Sequence, residues 1–459
     1  MQRKIILALV IIVIIAISSV AALELSTKPT PSTDARNINV GLVAPLSTSI
    51  GQDMLKAAQM AVKEINDGGG VSVSGWNTKV NLTLVTVDTG KDTVPADAVT
   101  AVTKAVQQDK VDMLIGGYGS AATLADEVVA IQNKVPFIIT GASNQLVTRR
   151  GPQGNYGGAG TTGTYSMTDA EGVSYMFHYC TTTYDYAKTV VDFLAQEMKP
   201  MVAENRDFRL ALYYRDDSFG NAVEQAAKYW IQNESLPINI VEDRKHPTTS
   251  NTFQTDLTVI KQANPDAVFV ADNPDITPLV IQQGWNDVGL KTVYIAVENN
   301  QDPVFYNLLG AVGDGQLMES KMDPFQVPSY STAVQTYSQK FNETYHVAPG
   351  MMGVDTYDAF YIAKSAIQNA GTVDKSAVRD AIENTNMPQR LIMTATGKIQ
   401  FSIGVNYHEI GPVTFMEQLK WNADTKQLES QIIWPATVQG ISNFKQSDFR
   451  LPTGYQPGS

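Results

Sequence analysis

A single cysteine, Cys180, excludes an intrachain disulfide, so stability in an oxidising compartment has to come from the size of the core. Its aromatic neighbours Phe177 and Tyr179 mark it as a packed core residue rather than a nucleophile. Histidine is also scarce. His178, His246, His346 and His408 are scattered without metal-ligand spacing, and neither a metal nor a cofactor is expected. Basic residues are outnumbered, with 34 Lys and Arg against 46 Asp and Glu. The net charge of −12 argues against a nucleic-acid partner, because such binding is driven by basic side chains neutralising phosphates. H-E-x-x-H, G-x-S-x-G and the phosphate-cradling P-loop are all missing, so no catalytic machinery is visible.

Long apolar runs are confined to the amino terminus. Arg3 and Lys4 precede a run from Ile5 to Leu23, broken only by Ser18 and Ser19 and long enough to span a bilayer. Residues 1–23 therefore read as a signal or anchor segment, and the chain as exported and extracytoplasmic, either membrane-anchored or secreted. No cysteine follows the run, which excludes a lipid-modified amino terminus. Residues 24–37, rich in Ser, Thr and Pro, read as a tether. Glycosylation sequons stand at Asn81, Asn233 and Asn342.

Beyond the tether, short apolar strands alternate with helical patterns of 10–15 residues. Candidate strands include Ile38–Val43, Val80–Val87, Val135–Thr140, Arg209–Tyr214, Ala267–Ala271 and Lys291–Val297. Strands apolar on both faces and separated by helices imply an α/β fold with parallel sheets covered on both sides. The stretch Val111–Thr123, VDMLIGGYGSAAT, is the most informative: a buried strand, a glycine loop, and a helix that starts at Ser120. A helix start leaves backbone N–H groups unpaired and carries the positive end of the helix dipole, which suits an anion. Ser120 adds a hydroxyl at the expected N-cap, where the alternatives are ligand contact and simple capping. Gly117, Gly119 and Ala122 also satisfy the dinucleotide fingerprint, but the motif is not on the first strand and no ribose-binding acid follows the next one. Helix, polar turn, strand and loop recur from Asp256 to Asp275, which suggests two similar lobes with the loops Gly116–Ser120 and Ala271–Asp275 facing one another. Gly151–Gly172, rich in Gly and Thr, breaks the rhythm and reads as an inserted loop. From Tyr330 to Ala370 the chain is helical, with an aromatic stripe (Tyr337, Phe341, Tyr357, Phe360) that reads as core.

Taken together, GLVAPLSTSIG, AVKEINDGGGV, IGGYGSAAT, VPFIITGAS and RLALYYRDDSFG resemble the type I periplasmic binding proteins, in particular the branched-chain amino-acid (leucine/isoleucine/valine) receptors of ABC transporters. The resemblance implies two Rossmann-like lobes joined by three crossovers, with 37–176 plus 299–395 as lobe one, 177–298 plus 396–445 as lobe two, and 446–459 as a tail. It also implies that Ser120, Gly141 and Ser143 hold a ligand carboxylate, that Asp275 meets an ammonium from the other lobe, and that Phe219 closes over the ligand. Tyr118 and Tyr184 either line the cleft or pack. Phe219 lacks the hydroxyl of the tyrosine common at its position, so the resemblance leaves amides, urea and aromatic acids open beside amino acids. The function it implies is capture of an amino acid or related small carboxylate for an ABC permease, with no chemistry done on the ligand. A ligand-sensing receptor domain of the same fold and an enzyme using the cleft are the alternatives.

Overall fold

The computed structural model describes residues 35–91, 94–151, 168–323, 325, 330–404, 406–437 and 446–458. The signal or anchor segment, most of the tether and most of the inserted loop lie outside the described residues. No described helix is long and apolar enough to cross a membrane.

Two sheets organise the rest. In the first, β1 (Ile38–Ala44), β2 (Leu82–Asp88), β3 (Met113–Gly116), β4 (Phe137–Ile139) and β5 (Met176–His178) lie in the order β2-β1-β3-β4-β5, all parallel. Helix α1 (Ser49–Asp67) follows β1, α2 (Pro95–Gln107) follows β2 and α3 (Ser120–Gln132) follows β3. Helix α1 starts earlier than its apolar pattern suggests, because Thr48 accepts from Gly51 N at 3.1 Å and caps it.

The second sheet contains β6 (Phe208–Arg215), β7 (Ile238–His246), β8 (Ala267–Ala271), β9 (Val293–Ala296), β10 (Leu317–Ser320), β11 (Phe415–Asn422) and β12 (Gln427–Trp434). Its order is β12-β11-β10-β9-β8-β6-β7, and the pairings from β7 to β10 are parallel while β11 and β12 are antiparallel additions. Helices α4 (Thr183–Phe193), α5 (Ser218–Asn233), α6 (Gln254–Gln262), α7 (Thr277–Gln282) and α8 (Pro303–Leu309) pack here. The chain then returns to the first lobe through α9 (Thr332–Tyr345), α10 (Met351–Ala370) and α11 (Lys375–Glu383), whose apolar side chains join the core around β1 and α1. It crosses once more to build β11 and β12, which makes three crossovers.

Several expected boundaries differ from the structure. Phe177 and His178, expected in lobe two, lie in β5 of the first sheet, and Ile399, Phe401 and Ile410, from the stretch expected in lobe two, are buried in the first-lobe core. Residues 299–320, expected in lobe one, stay with lobe two: β10 pairs with β9 and β11, and Phe305 and Leu309 of α8 are buried in the second-lobe core. Residues 446–458 of the expected tail pack on the second lobe: Phe449, Leu451 and Tyr455 lie against its core, and Gly458 N donates to Asp266 Oδ1 at 2.8 Å.

Candidate ligand-binding cleft

In each sheet the first two strands of the lobe lie in reversed order relative to those that follow, so a crevice opens beyond the carboxyl ends at the point of reversal. In the first lobe that point lies between β1 and β3, and in the second between β6 and β8. The loops leaving β3 and β8 face each other there. Gly116 and Gly117 at the end of β3 have φ of 118° and 77°, the left-handed region that glycine tolerates. A Cβ on Gly116 would stand 2.1 Å from the Val43 carbonyl oxygen.

The crevice is lined by Lys91, Tyr118, Gly119, Ser120, Gly141, Ser143 and, from the second lobe, Arg215, Asp217, Phe219, Asn273 and Asn299. Five of the seven residues singled out in the sequence therefore meet here: Tyr118, Ser120, Gly141, Ser143 and Phe219. Ser120 is the first helical residue, with Gly119 at the N-cap, so the hydroxyl does not cap its own helix. Ser120 Oγ instead accepts from Asn144 N at 3.3 Å, and it is buried.

Tyr184 is not part of the lining. Its ring meets Tyr229 and Trp230 edge-on at 5.7 and 6.4 Å, and its carbonyl accepts from Trp230 Nε1, so it packs α4 against α5. Asp275 stands outside the lining as well, on the exposed turn after β8. Partial desolvation there, with the neighbouring charge of Asp272 adding to it, raises its carboxyl above the ordinary range.

The sequence reading missed Lys91, Arg215, Asp217, Asn273 and Asn299. Arg215 was the most accessible of these, being the polar end of the strand RLALYYR. Its Nε lies 2.7 Å from Asp217 Oδ2 and its Nη1 3.9 Å from Asp272 Oδ1. Asp217 is held in turn by Phe219 N and Gly220 N, both at 3.0 Å, as the cap of α5.

Direct hydrogen bonds close the seam. Tyr118 Oη donates to Asn273 Oδ1 at 3.0 Å and accepts from Asn299 Nδ2 at 3.3 Å. Farther along, Asn144 Nδ2 donates to the Ser218 carbonyl at 2.9 Å. Burial pushes the Tyr118 phenol well above its ordinary range, so it stays a neutral donor. The free space left is about 30 Å³, room for a water or two. A larger guest requires the lobes to part, which two sheets joined by three crossovers allow.

The cleft is wired to the hinge. Ser143 Oγ lies 2.5 Å from Tyr186 Oη, Tyr186 donates to Glu298 Oε1 at 2.9 Å, and Thr181 donates to Glu298 Oε2 at 2.6 Å. Lys321 Nζ, fully buried, then bridges Glu298 Oε1 at 3.1 Å and Asp355 Oδ2 at 2.7 Å. Glu298 follows β9 in the second lobe and Asp355 lies on α10 of the first, so one ammonium joins the lobes at their pivot. A second buried pair, Arg149 Nε to Glu409 Oε1 at 2.6 Å, anchors the last crossover.

Chemically, the crevice offers a helix N-terminus, a serine hydroxyl, Lys91 and the Arg215 guanidinium, the last already paired with Asp217, which suits an anionic group. Among the described residues Ser120 has no histidine or carboxylate as a hydrogen-bond partner to activate it as a nucleophile. Among the described residues no group of His, Cys, Asp and Glu is placed to hold a metal ion.

Comparison with known proteins supports the two-lobed fold. The sequence profile of the periplasmic binding protein family matches residues 37–424. A curated relative, the Leu/Ile/Val-binding protein homolog 7 of Brucella abortus, is 22% identical over 375 residues, 79% of this chain and 84% of its own. The branched-chain amino acid transporter substrate-binding protein LivJ of Streptococcus pneumoniae, solved with isoleucine, superposes with a TM-score of 0.69 at 18% identity, over 87% of this chain and all of that one. A solute-binding protein of an ABC transporter from Rhodopseudomonas palustris, solved with 3,4-dihydroxybenzoic acid, gives 0.67 at 18% identity, over 88% of this chain and 99% of that one.

Proposed function

The chain belongs to the periplasmic binding protein family, and from that premise we propose that it captures an amino acid or a related small carboxylate outside the cytoplasm and presents it to an ABC permease. One observation carries the reading: at the strand-order reversals of both sheets, the start of α3 with Ser120 and the cations Lys91 and Arg215 converge on one small cleft. The carboxylate is held by Ser120 and backbone amides of the first lobe. Phe219 covers it, and Arg215 approaches it from the second lobe. The ligands of two structural relatives, isoleucine and 3,4-dihydroxybenzoic acid, share a carboxylate and little else. An amino acid adds an ammonium, for which Asp275 on the rim is the acid we assign, since Asp217 in the lining is committed to the cap of α5 and to Arg215. Since the ligand touches both lobes, its binding selects the closed form, and closure is what the permease reads. The family is made of solute-binding proteins, and the ligand leaves unchanged. Residues 1–23 direct export and hold or release the chain at the membrane.

The test is a thermal-shift screen against amino acids, their amides, urea and aromatic acids, since a ligand bound only by the folded state raises the melting temperature. Carboxylates are expected to shift it and neutral amides of the same shape are not. A shift produced equally by amide and acid removes the carboxylate from the reading, and a ligand recovered chemically altered makes the protein an enzyme.

A further inference from the structure

A second cavity, far larger than the cleft at Tyr118, lies elsewhere on the seam between the lobes and encloses about 700 Å³. None of its lining residues belongs to the cleft. One wall is α9. This helix buries Val334, Tyr337 and Phe341 in the first-lobe core. Its 3.6-residue period therefore gathers Gln335, Ser338, Gln339 and Asn342 on another stripe, and all four line the groove. Three carboxamides and a hydroxyl with no charge make an unusual exposed helix face. Gln339 donates to Glu343 on its own helix, while Gln335, Ser338 and Asn342 make no side-chain hydrogen bond among the described residues.

The facing wall belongs to the second lobe. Tyr306 and Asn307 of α8 and Trp421 at the end of β11 line it. Only two lining residues are charged, Asp302 and Lys426. The Asp302 carboxylate is already committed, accepting from Val304 N at 2.8 Å as the cap of α8.

We propose that this groove is a second ligand site, for a neutral, hydroxyl-rich molecule of the saccharide type. Carboxamides present a donor and an acceptor side by side, which matches the paired hydroxyls of a sugar ring. The Trp421 indole and the Tyr306 ring supply flat apolar surface for the ring's C–H face. A charged ligand finds little here to balance the loss of its hydration. Because the walls come from different lobes, a guest spanning them favours the lobe arrangement that brings them together, and so is coupled to the cleft.

The experiment titrates the full chain with maltose, trehalose and N,N′-diacetylchitobiose, read by tryptophan fluorescence and saturation-transfer NMR, with glucuronate as the charged comparison. At least one disaccharide is expected to bind more tightly than about 1 mM, and glucuronate is expected not to compete. The double change Gln335→Ala with Gln339→Ala, at exposed positions that leave the core intact, weakens the disaccharide about tenfold. Trp421→Ala abolishes the fluorescence response. No binding by any of the three up to about 50 mM overturns the proposal, as does binding unchanged in the double variant. Binding that survives the double change and disappears with Ser120→Ala places the sugar in the cleft and overturns it equally.

Discussion

Tyr118 Oη donates to Asn273 Oδ1 at 3.0 Å and so joins the loop after β3 to the loop after β8. Both residues stand at the strand-order reversal of their own sheet, and any guest must replace or separate them. The net worth of a neutral hydrogen bond is about 1 kcal/mol, roughly a fivefold change in the ratio of closed to open forms. Tyr118→Phe keeps the ring and removes the donor. The ligand-free variant is expected to shift toward the open form, seen as a larger radius of gyration in small-angle scattering, while saturating ligand returns variant and parent to one value. Identical ligand-free curves would show that this bond does not hold the seam.

Ser120 is buried at the start of α3, and among the described residues its hydroxyl oxygen accepts only from Asn144 N, which leaves its proton for a guest. If that proton meets a carboxylate, Ser120→Ala weakens binding by about 1–3 kcal/mol, the range for a lost charge-assisted hydrogen bond. Calorimetry reads this directly, and an unchanged affinity takes Ser120 out of the site.

Asp275 is exposed on the rim, so its attraction for a ligand ammonium is screened and worth about 1 kcal/mol or less. Asp275→Asn is expected to weaken an amino acid by up to about fivefold and to leave the same carboxylate without its amine unaffected. Equal losses for both would end the role given to Asp275.

The parallel sheets and the glycine loop between β3 and α3 were legible because they rest on local signals: short runs apolar on both faces, a Gly-Gly break, and a helix start. The lobe assignment of 299–320 was not, because β10 carries Glu319, which a strand buried on both faces does not normally tolerate. Glu319 is fully buried, and burial with the neighbouring Glu298 charge pushes its carboxyl well above the ordinary range against the pull of Lys321, so it sits in the strand neutral, a state set only in three dimensions. Tyr184 shows the opposite difficulty. An aromatic at a helix start looks alike whether it faces a ligand or Trp230, and only the packing of α4 on α5 decides. Arg215 and Asn299 escaped notice for a related reason, since a polar residue at a strand end gains its meaning from the lobe across the seam.

Among the described residues Lys321 is the one cation between Glu298 and Asp355, with all three side chains fully buried. Removing one partner of such a group leaves uncompensated charge in the interior and costs about 3–5 kcal/mol. Lys321→Met is therefore expected to lower the free energy of unfolding by that amount in guanidinium titrations. Adding Asp355→Asn recovers part of the loss, because it removes a carboxylate left without a counter-charge. A double variant no more stable than the single one would mean that Lys321 acts by packing alone.

Asp53 on α1 accepts from Gly350 N at 2.9 Å and Gly353 N at 2.7 Å, pinning α1 to the start of α10. Burial raises its carboxyl from the ordinary 3.8 to about 7, against the pull of those two N–H groups. Between these values the unfolded chain has given up the proton and the folded chain keeps it. Stability contributed at this position is thus present below about pH 4 and is lost as pH rises toward 7, by on the order of 4 kcal/mol in full. Asp53→Asn cannot ionise and has no such slope, although it turns an amide nitrogen toward one of the two N–H groups at a cost of about 1–3 kcal/mol. The variant is expected to be the less stable protein at pH 4 and the more stable one by pH 8 in guanidinium unfolding at each pH. A difference between the two proteins that stays constant from pH 4 to pH 8 would mean that Asp53 is ionised in the folded state throughout.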